Sequence, residues 1–137
     1  MTQKPVCIML VDDNDSDTFF HIREINKTGL ATQIISKEDG EDALKYLMSM
    51  KANGDISPDL IFLDINMPVM DGWGFLEAYR SLKEDIRLNI VIVMLTTSEF
   101  EKDKERAGSY EFVSTYISKP LTKAKMEEVR DKYLSKN

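Results

Sequence analysis

"FLDINMPVMDG", residues 62–72, closes an apolar run with a carboxylate, Asp64, and follows it with an Asn, a Met-Pro pair and an Asp-Gly turn. An acid at the end of a buried-looking strand gains meaning only if other strands deliver groups to the same edge. Asp59–Leu63 reads as that strand and Trp73–Leu82 as the helix after it. Towards the N-terminus, "VCIMLV" (6–11) is almost wholly apolar, as a strand buried on both faces should be. Phe19, Phe20, Ile22 and Ile25 follow at helical spacing, ending near Gly29, a natural C-terminal stop. "ATQII" (31–35) is a short second strand, and "GEDALKYLMSM" (40–50) a helix with Ala43, Leu44, Leu47 and Met48 on one apolar face. "KANGDISP" (51–58) is a turn-rich loop. Beyond the opening stretch, "NIVIVML" (89–95) is the most β-branched run and reads as a central strand. Ser98 and Glu101 have the S-x-x-E spacing of a capping box for a fourth helix. "FVSTYIS" (112–118) is a fifth strand and "LTKAKMEEVRDKYL" (121–134) a closing helix. Five β-α units with no strand directly following another predict an α/β fold, a parallel sheet with crossover helices on both faces. Such sheets bind ligands at the carboxyl ends of their strands.

Bulk properties narrow the class. A chain of 137 residues that is 42% apolar fits one domain with a real core, and 31% charged residues suit a soluble protein. Its 18 basic against 24 acidic side chains give a net charge of −6, which argues against a nucleic-acid surface. No apolar run approaches the ~20 residues of a membrane span. "MTQKPVCIMLVDDN" has no small-residue cleavage site and meets acids at once. The one cysteine, Cys7, has no internal disulfide partner and reads as a small buried hydrophobe. A reducing cytoplasm is the expected location.

Four strand ends carry the candidate chemistry. The first supplies Asp12 and Asp13 ("VDDN"), the third Asp64, the fourth Thr96 and Thr97 ("LTTS"), the fifth Lys119 before Pro120 ("SKP"). Each has a plain explanation alone: Asp15 and Asp17 suit helix capping or the helix dipole, Thr97 or Ser98 could cap, and a lysine could simply be solvated. Together they form a pattern. Neighbouring strands lie about 4.8 Å apart, so carboxylates ending adjacent strands can share one ion. Clustered carboxylates repel one another without a cation, and Mg²⁺ binds through one or two of them plus waters and a phosphoryl oxygen. A carboxylate can attack a phosphoryl group to give an aspartyl phosphate. An ammonium and a hydroxyl nearby would stabilise the phosphoryl oxygens. On this reading Asp64 stands exposed at the sheet edge.

The segments "LVDDN", "LDINMPVMDG", "LTTS" and "YISKP", in that order over nearly the whole chain, resemble the receiver domains of two-component response regulators, chemotaxis members included. The resemblance implies the doubly wound, flavodoxin-like (βα)5 arrangement with strand order 2-1-3-4-5. It implies that Asp64 accepts the phosphoryl group, and that Asp13 binds Mg²⁺ directly with Asp12 helping through water. The backbone carbonyl of Asn66 would join them. It assigns Thr96 as the switch hydroxyl, Tyr116 as the switch aromatic and Lys119 as the ammonium on the phosphoryl group. Lys119–Pro120 is often cis in such proteins. Implied partners are a sensor histidine kinase or histidine phosphotransfer protein, a downstream protein target and a second copy of the chain. Nucleic acid and membrane are not expected. Residues 1–137 then form one receiver domain, core about 5–135, with no effector domain, catalysing only its own phosphorylation and dephosphorylation. The resemblance puts Asn66 and Ser98 at the positions that tune phosphoryl lifetime.

Two other functions share parts of this pattern. A haloacid-dehalogenase-type phosphatase also uses a strand-end Asp and Mg²⁺ but wants a second Asp two positions on, where this chain has Asn66, which cannot exchange a proton as a carboxylate does. A degenerate docking module is disfavoured because every phosphorylation-site residue type is present. Among the remaining singular residues, His21 reads as a surface or half-buried helical histidine, Trp73 as packing or shielding, and Met67 and Met70 as packing. Gly74, inside a helix, costs about 1 kcal/mol relative to Ala.

Overall fold

β1 (Val6–Val11) is buried at every position, and it pairs with β2 (Ala31–Lys37) on one side and β3 (Leu60–Leu63) on the other, both parallel. β3 continues to β4 (Val91–Thr96) and β4 to β5 (Val113–Ser118), giving one five-stranded parallel sheet in the order β2-β1-β3-β4-β5. These relations come from a computed structural model that describes residues 6–134. The expected core limits at residues 5 and 135, and the first residues of the N-terminal reading, lie outside the described residues.

The crossovers are α1 (Asp15–Lys27), α2 (Gly40–Asn53), α3 (Gly72–Arg80) with the single-turn α4 (Glu84–Arg87), α5 (Glu101–Gly108), and a closing α6 (Lys123–Val129) that runs into a π-helical turn, Arg130–Leu134. Side-chain alternation along the strands sorts the core into two layers. Met9, Val11, Ile61, Leu63 and Met94 pack with Ala43, Leu47, Phe75 and Tyr79 on one face. Ile8, Leu10, Phe62 and Leu95 pack with Ile25, Leu121, Met126 and Val129 on the other. Fully burying one such side chain, Leu47 for example, stabilises the fold by about 1.5–3 kcal/mol.

Register decides what meets at the carboxyl edge. Val11 lies opposite Leu63 across the β1–β3 pair, so the next residues, Asp12 and Asp64, leave the sheet side by side. Leu63 in turn faces Met94, two residues before Thr96 at the end of β4.

Several local expectations change. β2 extends to Lys37, because an edge strand tolerates the polar Ser36 and Lys37 while they still pair with Leu10 and Val11. β4 is an interior strand, flanked by β3 and β5. α1 does not bury the face its phenylalanines suggested: Phe19 is 66% exposed, and His21, Glu24 and Ile25 turn inward. In α2, Met48 points to solvent and Met50 is buried instead. α4 is a single turn with no fully buried residue, and so lacks the periodic signal that reveals a helix. The capping box at Ser98 does not form. α5 starts after Phe100 with no side-chain cap, since the Ser98 hydroxyl donates to Asp103 and only weakly meets the Phe100 N–H at 3.4 Å. α6 begins at Lys123, where the Thr122 hydroxyl accepts from the Lys125 N–H at 3.2 Å.

Candidate functional site

Backbone bonds fix each strand-end group. The Asp12 N–H donates to the Lys37 carbonyl (3.0 Å), that of Asp64 to Val11 (3.0 Å), and that of Lys119 to Thr96 (2.9 Å). The lysine precedes a cis peptide bond to Pro120. With the β3–β4 ladder between them, these bonds tie the strand ends into one shelf. Asn14 caps α1 by accepting from the Asp17 N–H (2.9 Å), while its own N–H donates to Asp12 Oδ1 (2.9 Å), so the start of α1 helps orient the first acid.

Beyond Asp64, Ile65 donates its N–H to Asp64 Oδ1 at 2.7 Å. The chain turns back so that the Gly72 N–H reaches the Ile65 carbonyl at 2.7 Å. A Cβ at Gly72 would stand 2.4 Å from the Asp64 carbonyl oxygen, so glycine alone permits this approach. Asp71 caps α3 by accepting from the Gly74 N–H at 2.9 Å. The Asp-Gly pair therefore packs the covering helix directly onto the backbone of Asp64.

The centre of the shelf is an ammonium among carboxylates. Lys119 Nζ lies 2.7 Å from Asp12 Oδ2, 2.7 Å from Asp17 Oδ2 and 3.1 Å from Asp64 Oδ2. Burial by itself would depress the Lys119 pKa, but these carboxylates outweigh it and hold the group firmly protonated. Burial raises the Asp12 pKa despite its bond to Lys119. Carboxylate oxygens of Asp12, Asp13 and Asp64 all lie within 4.8 Å of one another. Asp13 is exposed, whereas Asp12 and Asp64 are each only 8% exposed. Asp64 is thus not the exposed acid expected: the Lys119 ammonium and the turn into α3 cover it, leaving Asp13 as the solvent side of the group.

Thr96 and Tyr116 sit on the neighbouring strands β4 and β5. Thr96 is fully buried, and its hydroxyl oxygen accepts from the Ser98 N–H at 3.3 Å. Tyr116, half-buried on β5, donates its hydroxyl to the Ser98 carbonyl at 2.9 Å. Both therefore engage the segment joining β4 to α5. Asn66 is exposed, and borders an open cleft of about 620 Å³ with Thr97, Ser98, Glu99, Phe100 and Asp103.

Two residues acquire places the sequence did not suggest. The Asp17 carboxylate grips Lys119 rather than capping α1, a pairing across 102 residues that no local pattern reveals. His21 is 2% exposed, not superficial, and lines a cavity of about 10 Å³ beneath the shelf with Asp12, Thr18 and Asp64. Burial lowers its pKa, and the Lys119 charge adds to the effect. Trp73 packs as expected: it stacks on Tyr110 with ring centroids 6.5 Å apart and carries Arg106 4.4 Å over its ring. Cys7 is buried in β1, and burial pushes its thiol up to about 11, so it is inert.

Comparison with known proteins places this geometry. The family model described as "Response regulator receiver domain" matches residues 8–130. The chain is 32% identical over 140 residues to the probable methanogenesis regulatory protein FilR2 of Methanothrix harundinacea (strain 6Ac), covering 98% of this chain and 88% of that protein. It is 32% identical to the alkaline phosphatase synthesis transcriptional regulatory protein PhoP of Bacillus subtilis (strain 168), over 84% of this chain but only 42% of that longer protein. A two-component response regulator from Cytophaga hutchinsonii superposes with a TM-score of 0.86 at 27% identity, over 97% of this chain and 100% of that one. The phosphorylated cyanobacterial phytochrome response regulator RcpA gives 0.79 at 28% identity, over 96% of each chain. The Mn²⁺-bound form of response regulator Rcp1 gives 0.72 at 30%, over 97% of each. With its parallel sheet in the order 2-1-3-4-5 and its acidic shelf closed by a lysine, the chain belongs to the response regulator receiver domains of two-component signalling.

Proposed function

We propose that the chain, read as one receiver domain over its 137 residues, is a phosphorylation-driven switch with Asp64 as phosphoacceptor. The observation that carries this reading is the Lys119 ammonium, 3.1 Å from Asp64 Oδ2 and flanked by two further carboxylates. One Asp64 oxygen attacks the phosphorus of a phosphohistidine or small acyl phosphate, and the bond from phosphorus to the donor nitrogen or oxygen breaks. The electron pair leaves with the donor, and an acyl phosphate remains on Asp64. Lys119 then bonds a phosphoryl oxygen and offsets its charge, and the buried Thr96 hydroxyl is the neutral donor on the β4 side.

The donor set of Asp12, Asp13 and Asp64 is all hard oxygen, packed closely enough to demand a counter-charge, and suits Mg²⁺; the carbonyl of Asn66 is the further ligand assigned. When bound, the ion supplies neutralisation of the carboxylates and of the transferred group. Rcp1, a relative, has been solved in an Mn²⁺-bound form, and RcpA in a phosphorylated form; both support this reading.

Output follows from the Thr96–Ser98–Tyr116 linkage. Drawing Thr96 to the phosphoryl group pulls on the segment that holds the Tyr116 hydroxyl, so the face of β5 with its flanking helices α5 and α6 changes packing. That face is where a protein target or a second copy of the chain would dock. Phosphoryl donors are a sensor histidine kinase or a histidine phosphotransfer protein in a reducing cytoplasm. Among the described residues no helix is long and apolar enough to cross a membrane.

The discriminating experiment supplies a phosphorylated donor protein and, separately, a panel of phosphomonoesters with Mg²⁺. A switch takes one phosphoryl group per chain and turns over no monoester. Sustained monoester hydrolysis without a lasting adduct would replace this reading with a phosphatase.

A further inference from the structure

We infer that Asp17 is a positioning residue for phosphoryl transfer, the fixed tether that holds the Lys119 ammonium over Asp64; this rests on the function proposed above. An ammonium has three N–H donors, and Lys119 meets three carboxylates, Asp12, Asp17 and Asp64. The three partners differ in what the reaction does to them. Asp64 gives up its anionic oxygen when the acyl phosphate forms. Asp12 belongs to the close group of acids with Asp13 and Asp64 that a cation would draw together. Asp17 stands outside that group, and its contact of 2.7 Å with Lys119 is as short as that of Asp12. It alone keeps the same partner before and after transfer.

Placement strengthens the point. β1 and β5 are separated in the sheet by β3 and β4, so no strand pairing fixes Lys119 relative to the start of α1. A lysine stem has four rotatable bonds, and the one backbone bond of Lys119 ties it only to β4, through the Thr96 carbonyl. Asp17 lies in the first turn of α1, whose N-cap, Asn14, also orients Asp12. The helix that sets the first acid thus also sets the ammonium. The Asp17 side chain is 37% exposed against 10% for Asp64, so the tether is the more solvent-accessible of the two carboxylates on the lysine.

The test uses the full chain and the isosteric Asp17→Asn, with Asp17→Ala as a second variant; thermal melts confirm folding of each. First, Lys119 is acylated with an amine-reactive ester and read by peptide mass spectrometry against the exposed Lys45. Removing the tether should speed Lys119 labelling about tenfold, the effect of one lost charge-assisted hydrogen bond. Second, the initial rate of phosphorylation by acetyl phosphate should fall about tenfold while Mg²⁺ affinity stays within about twofold of the wild type, as positioning through Lys119 requires. In a Lys119→Gln background, Asp17→Asn should change the rate no further. Unchanged Lys119 labelling overturns the tether. So does a rate loss that persists in the Lys119→Gln background with weakened Mg²⁺ binding, because Asp17 would then be a metal ligand. If the wild type takes up no phosphoryl group, the proposed function fails, and the labelling comparison still decides the tether.

Discussion

Replacing Gly72 with alanine probes how tightly α3 is seated on the end of β3 that carries Asp64. The added Cβ would lie 2.4 Å from the Asp64 carbonyl oxygen, 2.9 Å from Ile65 Cα and 3.2 Å from the Asp64 carbonyl carbon. All three are backbone atoms, so no side chain can rotate away. Ordinary contact begins at 3.4 Å, so the carbonyl oxygen is about 1 Å too close. The helix start or the β3 end must therefore move by about that amount. Overpacking of this kind costs about 1–3 kcal/mol, and stretching the 2.7 Å bond from the Gly72 N–H to Ile65 adds roughly 1 kcal/mol. The expected loss is about 2–4 kcal/mol, read from the urea midpoint. The same displacement carries Asp64 with it, and a shift near 1 Å in a reacting group costs on the order of 10²-fold in rate. Gly74→Ala is the control. Its Cβ comes close only to the flexible Met70 side chain, 3.0 Å from Cγ, with Asp71 Oδ1 at an ordinary 3.5 Å, and alanine favours a helix by about 1 kcal/mol, so this variant should be neutral to mildly stabilising. A Gly72→Ala protein with wild-type midpoint and phosphorylation rate would refute the reasoning.

Mg²⁺ should stabilise the fold by relieving repulsion among Asp12, Asp13 and Asp64. At ten times its dissociation constant the gain is about 1.4 kcal/mol, seen as a raised melting temperature that chelation reverses. An Asp13→Asn protein that gains as much would remove these acids from the metal site. Stability should also fall as pH drops through 6.5, the ordinary histidine value. Burial keeps the folded-state pKa of His21 below that value, so the unfolded chain binds the extra proton and gains at low pH. His21→Gln should flatten the decline in denaturation midpoint between about pH 7.5 and 5.5. An unchanged slope would assign it to other groups.

Much of this arrangement is written locally. Apolar runs such as "VCIMLV" and "NIVIVML" mark strands, and the residues just past them name the groups on the shelf. The strand order, by contrast, came from resemblance, because periodicity does not say which strands pair. Features built by distant residues stayed hidden. Asp17 read as a helix-start acid because its partner lies 102 residues away. His21 reads as a surface or half-buried histidine, and Phe19 and Phe20 suggest a different buried face for α1, yet α1 turns His21, Glu24 and Ile25 inward, where the Lys123 N–H of α6 donates to Glu24 (2.9 Å). Ser98 had the right spacing for a cap but found Asp103 instead. Asp64 read as exposed because the lysine covering it arrives from β5. Gly74, without an account in the sequence, sits in close contact with Met70 just behind the Asp71 cap.

The central claim is that Asp64 receives the phosphoryl group, and the most direct measurement is the site of the adduct. The protein is incubated with acetyl phosphate and Mg²⁺, the acyl phosphate is trapped by borohydride reduction, and the modified residue is read by peptide mass spectrometry. The account predicts one adduct per chain, on Asp64, and none in Asp64→Asn. An adduct on another residue, or one that survives in Asp64→Asn, would contradict it.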